Sequence, residues 1–272
     1  MWKLIKRDIN ISIKSNIWKY ILIMVFCIVV CGRFYVVVGD HARRISGNSD
    51  FYIGDYLFLM FGGMKEYVPE KNDYFELPVI WMAMQMLLIS LVFIYPFKDL
   101  LSNGQYILVQ YSERSKWWVS KIIWGLIQTV AGYVLIIGII LLFAILTGAH
   151  GLGVHKEYIN YYYGSKITAD VVNVWDIVVC FIYNICITVL YMSTALLTTP
   201  VVSLMLLVVY DVLSAYIMNP VLIGNVSMLL RNARYVNKGI SALIPVVFLL
   251  CITAITFVIT VHRFNKKDIV GN

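Results

Sequence analysis

The sequence predicts an all-α integral membrane protein with six transmembrane helices. Three observations lead there. First, 61% of the 272 residues are hydrophobic and only 14% are charged, against about 25% charged in soluble domains. Second, apolar runs lie near 17–38, 78–97, 119–147, 173–197, 200–219 and 240–262, and a helix needs about 20 residues to cross a ~30 Å hydrocarbon core. Third, the basic residues gather on alternate connections, as the positive-inside rule requires. Backbone polar groups in lipid need internal partners, and no alternating barrel pattern appears, so the runs read as helices. The whole chain, 1–272, is expected to form one transmembrane domain.

The N-terminal stretch MWKLIKRDINISIKSNIW is amphipathic, with Trp2, Ile5, Ile9, Ile13 and Ile17 at helical spacing and bases elsewhere. It predicts an interfacial helix over 1–16, its bases toward anionic headgroups. The first span is too long for a signal-peptide core and lacks a small-residue cleavage site, which predicts a retained helix. Between the first two spans, FYIGDYLFLMFGGM is too short to cross and is interrupted by Gly54, Asp55, Gly62 and Gly63. Such a run predicts a re-entrant or interfacial element on the outer side, and its aromatic residues suit a membrane boundary. Thr198–Pro200 reads as a tight turn, because proline suits the first turn of a new helix.

Charge orients these elements. The N-terminus to Lys19, the 98–121 segment and the tail from Arg263 together carry +8, whereas the three connections on the other side carry +1. Both termini and the 98–121 segment are therefore expected in the cytoplasm of a multi-pass protein of the plasma membrane. The connection over 219–239, with Arg231, Arg234 and Lys238, breaks the pattern. Because topology accounts for the formal charge of +7, a nucleic-acid partner is not needed.

No G-x-x-x-x-G-K-[ST], HExxH or G-x-S-x-G motif occurs, so the chain offers no phosphate-cradling loop, zinc pair or nucleophile elbow, and no enzymatic activity is expected. Cys27, Cys31, Cys180, Cys186 and Cys251 all fall in apolar runs and read as buried free thiols. His150 and His155 read as solvated surface histidines, and no metal site is expected. Polar residues inside the spans are more informative, since a charge at mid-membrane costs about 2.5–3.5 kcal/mol on insertion scales and usually faces protein or a cavity. Asp211 lies eleven residues past Pro200, roughly 16 Å along a helix. With Asn184, Gln85 and Gln128 it forms the set of translocation-path candidates, the alternative being hydrogen bonds between helices.

The polar segment FKDLLSNGQYILVQYSERSKWWVSKII between the second and third spans resembles the same region of the type-2 ABC transporter permeases. In that family an acidic residue precedes a glycine, a short Leu/Ile-rich helix, an Arg/Lys pair and a basic residue opening the third span. Here those positions are Asp99, Gly104, Ile107 to Val109, Arg114 with Lys116, and Lys121. Gln105 replaces the customary threonine after the glycine. WKLIKRDI at the start and HRFNKKDI at the end also look like the termini of such permeases.

The resemblance implies a cytoplasmic coupling helix that docks on a separate ATPase subunit. Asp99, Gly104, Leu108, Tyr111, Glu113, Arg114 and Lys116 would be its coupling residues. It implies two ATPase copies, which carry the ATP and magnesium, and a second permease subunit, as a homodimer in the bilayer. The implied activity is ATP-driven export of an amphipathic or hydrophobic substrate, a peptide of the phenol-soluble modulin or bacteriocin type being the expected class. The rival reading is a standalone immunity or sensor protein that binds its ligand without ATP.

Overall fold

The computed structural model describes residues 2–46, 50–69, 75–101 and 114–266. Most of those residues are helical (77%), with no strand among them. In chain order the α-helices are α1 (Trp2–Ser46), α2 (Ile53–Phe61), α3 (Val79–Val92), α4 (Tyr95–Leu101), α5 (Arg114–Leu146), α6 (Lys156–Tyr163), α7 (Val174–Leu197), α8 (Pro200–Tyr216) and α9 (Leu243–Lys266). Two 3₁₀ turns, Ile223–Ser227 and Leu229–Arg231, separate α8 from α9. Five helical stretches are long and apolar enough to cross a membrane, with α3 and α4 counted together. The sixth run, expected over 200–219, forms a 17-residue helix ending at Tyr216. Its rise of about 25 Å is just short of the hydrocarbon thickness.

Side-chain contacts fix how the helices run. Along α1, Asp8 meets Lys121, Asn16 meets Gln128 and Tyr35 meets Phe143, so α1 and α5 are parallel. Asn16 also meets Leu91, while Arg7 meets Asp99 farther along, so α3–α4 opposes α1. Thr129 bonds Thr188 at 2.8 Å and Tyr133 bonds the Ile177 carbonyl, so α7 opposes α5. The tight 198–199 turn returns α8 along α7, capped by the Thr199 hydroxyl on the Val202 amide. Phe264 packs on Trp117 and Trp118, which brings the end of α9 to the start of α5. The two ends of the described chain and both flanks of the 102–113 segment thus share one end of the bundle, here called the base. Helices α2 and α6 and the 3₁₀ turns lie at the opposite end.

Close helix approach follows from small residues. A Cβ on Gly125 would meet the Met192 sulfur at 2.5 Å, and one on Gly132 would meet Leu88 and Leu91 at 2.8 Å. The break between α3 and α4 follows from Pro96, which has no N–H to donate and whose ring crowds the preceding turn. Carbonyls near the break find outside donors instead. Lys19 and Asn16 of α1 bond those of Ser90 and Leu91, and the Tyr191 hydroxyl bonds that of Phe93. Satisfying such groups internally is obligatory in a lipid-embedded helix.

The N-terminus departs from expectation. A separate interfacial helix over 1–16 does not form, because α1 runs unbroken for 45 residues, or about 67 Å. Lys3, Lys6, Asn10 and Lys14 stay exposed, but a polar stripe of Asp8, Ser12 and Asn16 points inward. Asp8 and Ser12 are fully buried and Asn16 nearly so, while Trp2, Ile13, Ile17 and Trp18 are exposed. The physical reason is that α5 offers partners for this polar stripe: Lys121 for Asp8, and Trp124 and Gln128 for Ser12. Of the two alternatives for the element over 51–64, re-entrant or interfacial, its burial disfavours an exposed surface strip. Its core, α2, is enclosed by protein from Gly54 to Phe61, as irregular or short elements at membrane depth must be.

Candidate functional site

At the base, two acids and two bases from three helices form one buried cluster. Arg7 and Asp8 come from α1, Asp99 from α4 and Lys121 from α5. The Lys121 ammonium donates to Asp8 Oδ2 at 2.7 Å and lies 2.6 Å from Asp99 Oδ2. Arg7 spans both carboxylates, at 2.9 Å from Asp8 Oδ1 and 2.9 Å from Asp99 Oδ2. The Tyr95 hydroxyl adds a 2.9 Å bond to Asp8. Lys121 further sits 5.0 Å from the Tyr95 ring centre and 5.2 Å from that of Trp117, within cation–π range. The formal charges cancel, and every carboxylate oxygen has a donor. That is the condition under which buried ions are tolerated.

The cluster is a mechanical joint. Asp99 and Lys121 stand on either side of residues 102–113, so their contact fastens both flanks of that segment together. Through Asp8 and Arg7 the same contact fastens them to α1. A carboxylate that is buried and held by Arg7 and Lys121 cannot also face a partner protein. Asp99, 6% exposed, is thus held inward at the edge of the described α4. Arg114 and Lys116 open α5 at this end, in the first turn, half-exposed and exposed respectively. Gly104, Leu108, Tyr111 and Glu113 lie outside the described residues.

The four intramembrane candidates separate into different environments. Gln128 joins the network between α1 and α5: its Oε1 accepts from Asn16 and Tyr20, and its Nε2 reaches Ser12 Oγ. Asn184 donates to the Cys180 carbonyl one turn back on α7. Gln85, 1% exposed on α3, has no hydrogen-bond partner for either amide atom among the described residues. Asp211, 1% exposed on α8, accepts from Tyr183 at 3.2 Å through Oδ1, while Oδ2 has no partner among the described residues. Tyr183 in turn stacks near Trp81, whose indole N–H bonds Ser227. Gln128 and Asp99 thus belong to the α1 side of the bundle, and Asp211 to the α7–α8 side.

The opposite end carries three polar anchors that sequence reading missed. Asp55 is fully buried at the start of α2. It accepts from the backbone amides of Tyr52 at 2.9 Å and His155 at 2.7 Å, and from His155 Nδ1 at 2.9 Å. His155 is flanked by the rings of Tyr52 and Tyr158. It is a partly covered member of a clasp, contrary to the expectation of a solvated histidine. Asp176 accepts from Asn232 and Tyr235 and pairs with Arg234 at 3.2 Å. Burial, reinforced by Asp176, raises the Tyr235 phenol above its usual range.

Arg231, also fully buried, donates to the carbonyls of Ser214, Ala215 and Ile217 and to Asn225. It reaches the Met64 carbonyl as well, at 3.2 Å. A guanidinium over the last carbonyls of α8 meets the negative end of that helix dipole. Burial lowers Arg231 to about 10, partly offset by Glu66. These two arginines explain the excess positive charge of the 219–239 connection. Arg231 caps a helix and Arg234 pairs with Asp176, so both are tied into the protein. No family model, curated protein or solved structure matches the chain.

Proposed function

We propose that this chain is the permease subunit of an ATP-driven exporter, with the ATPase supplied by separate cytoplasmic subunits. The observation that carries the proposal is the buried joint of Arg7, Asp8, Asp99 and Lys121. A polar segment of twelve residues, 102–113, is flanked by two ion-paired residues. The pairing connects those flanks to the longest helix of the bundle. A push on the segment is thereby delivered to α1, α4 and α5 together. This is what a docking element for a motor subunit requires, and an ordinary surface loop has no need of it. The likeness of the 97–123 stretch to the type-2 ABC permeases adds the identity of the motor.

In this reading α8 completes six passes, and the base faces the cytoplasm of a bacterial cell. Two copies of the chain pair in the plasma membrane with two ATPase subunits, on which ATP and magnesium reside. Ile107, Leu108 and Tyr111 form the apolar docking face after Gly104, and Glu113, Arg114 and Lys116 its rim, where charges set partner choice more than affinity. The cargo is an amphipathic or hydrophobic peptide. Asp211, through Oδ2, and Gln85, through its amide, keep buried polar atoms without a partner among the described residues, and they are the residues best suited to meet polar groups of that cargo.

Purification of the tagged chain from its native membrane tests the proposal. The expected result is an ATP-hydrolysing partner that co-purifies and is released by Arg114→Glu. A chain that purifies without any ATPase, yet still binds a ligand or protects cells from one, would establish the standalone immunity or sensor reading instead.

A further inference from the structure

The end of the bundle opposite the charged joint carries an elongated trough. One cleft, of about 610 Å3, lies between Arg33 of α1, residues 63–68, the start of α3, and Tyr162 and Tyr163 of α6. A second, of about 390 Å3, lies between residues 218–220, residues 238–241 and Pro245 of α9. Glu66 lines both, so the two clefts are neighbours that share one residue. Each volume falls in the range of a binding pocket for a small ligand. Two neighbouring clefts that share a lining residue suit an extended chain better than a single compact molecule.

The lining is chemically mixed. Arg33, Lys65 and Lys238 supply positive charge, Glu66 and Glu76 negative charge, and all five are exposed. Tyr162 and Tyr163, packed edge to face at 5.1 Å, give an aromatic wall. The wall that carries Lys65 and Glu66 is built and held. Gly62 accepts from the Leu230 amide, Lys65 Nζ bonds the Gly164 carbonyl, and Tyr163 bonds the Leu59 carbonyl. Gly63 adopts a left-handed φ of 69° against Met228, where a Cβ would fall 2.4 Å from that side chain. From behind, Arg231 grips the Met64 carbonyl and the end of α8 with one guanidinium. Movement of this wall is therefore passed to the helix that carries Asp211.

We propose that this trough binds an extended peptide segment bearing charges of both signs, Glu66 receiving a basic side chain and Arg33 an acidic one. The identification of a peptide rests on the exporter reading, and the trough adds where and by which groups the peptide is held on the outer side. Mixed charge follows from the lining: a purely cationic ligand would meet Arg33 and Lys65, and a purely anionic one would meet Glu66 and Glu76.

The test uses purified full-length protein in lipid nanodiscs, with binding to empty discs subtracted. The probe is a short fluorescent amphipathic peptide containing both lysine and glutamate, compared with its neutral glutamine-substituted analogue. Fluorescence polarisation should show weaker binding of the neutral analogue. Glu66→Gln and Arg33→Gln should each weaken the charged peptide about threefold, the scale of one exposed ion pair. Glu66→Lys should weaken it about tenfold, because repulsion replaces attraction. Equal binding of both peptides, or unchanged binding to all three variants, overturns the proposal. Displacement by short-chain phosphatidylcholine but not by unlabelled peptide also overturns it, and assigns the trough to a lipid headgroup. The two readings fail separately. Charge-independent peptide binding alongside a co-purifying ATPase sinks the trough alone. Charge-dependent binding by a chain without an ATPase sinks the exporter and leaves the trough as a receptor site.

Discussion

Replacing Lys121 by leucine removes the buried cation while keeping most of the aliphatic volume. The ammonium is fully enclosed and lies 2.7 Å from Asp8 and 2.6 Å from Asp99. Without it, the two buried carboxylates lose their enclosed cation, and the nearest remaining positive charge is Arg7, whose side chain is 28% exposed. Removing one partner of a buried ion pair costs about 3–5 kcal/mol, mostly from the charge left behind. Arg7 already touches both carboxylates, which puts the expected loss near the lower end, about 3 kcal/mol. A change of 1 kcal/mol moves the midpoint of a protein of this size by roughly 2–4 °C, so Lys121→Leu should lower Tm by about 6–12 °C.

Thermal unfolding in detergent, followed by tryptophan fluorescence, reads this directly, since Trp117 and Trp124 pack beside the cluster. Lys121→Arg should lose far less. The double variant Asp99→Asn with Lys121→Leu should be less impaired than the sum of its parts, because the two side chains share one interaction. A midpoint within about 2 °C of the unaltered protein for Lys121→Leu would refute the joint as a structural element. So would strict additivity of the pair.

Arg231→Met leaves the carbonyls at the end of α8 without their buried donor and should cost about 3 kcal/mol, seen in the same unfolding assay. Asp55→Ala removes the acceptor of the Tyr52 and His155 amides and should cost about 1–2 kcal/mol, seen in the same unfolding assay. Gly54→Ala should destabilise by about 1–3 kcal/mol, since its Cβ would lie 2.3 Å from the Gly153 carbonyl oxygen. Asp211→Asn preserves the acceptor for Tyr183, so expression and thermal stability should be kept. If Asp211 meets the cargo through its charge, substrate-stimulated ATP hydrolysis should fall in Asp211→Asn, and full activity of that variant would remove Asp211 from the path.

The helical membrane fold was legible because lipid imposes length and apolarity on any crossing segment, and both are one-dimensional properties. The shared end of the two termini and the 102–113 flanks was legible from charge for the same reason. What escaped was tertiary. Asp8, Ser12 and Asn16 recur every fourth residue, a polar stripe that equally fits headgroups or another helix. Only the presence of Lys121, Trp124 and Gln128 on α5 decides between them. The break at Pro96 was written in the sequence, but the donors that permit it, Asn16, Lys19 and Tyr191, come from two other helices. Asp55 and His155 lie a hundred residues apart, and no local pattern joins them. Arg231 stood out as an exception to the charge pattern, and its acceptors on α8 supply the reason. Asp99 was legible as special from its surroundings in sequence, but its role as an inward-held anchor depends on Arg7.

The central claim is that the 102–113 segment docks an ATPase. A photo-crosslinking residue at Leu108 or Tyr111, in the native membrane, addresses it most directly. The same residue at Val171, exposed at the opposite end of the bundle, serves as the comparison. The account predicts that light joins the chain at 108 or 111 to a protein carrying a phosphate-binding ATPase loop, and that the Val171 position gives no such product. Absence of an ATPase adduct from both base positions, or equal adducts from Val171, would contradict it.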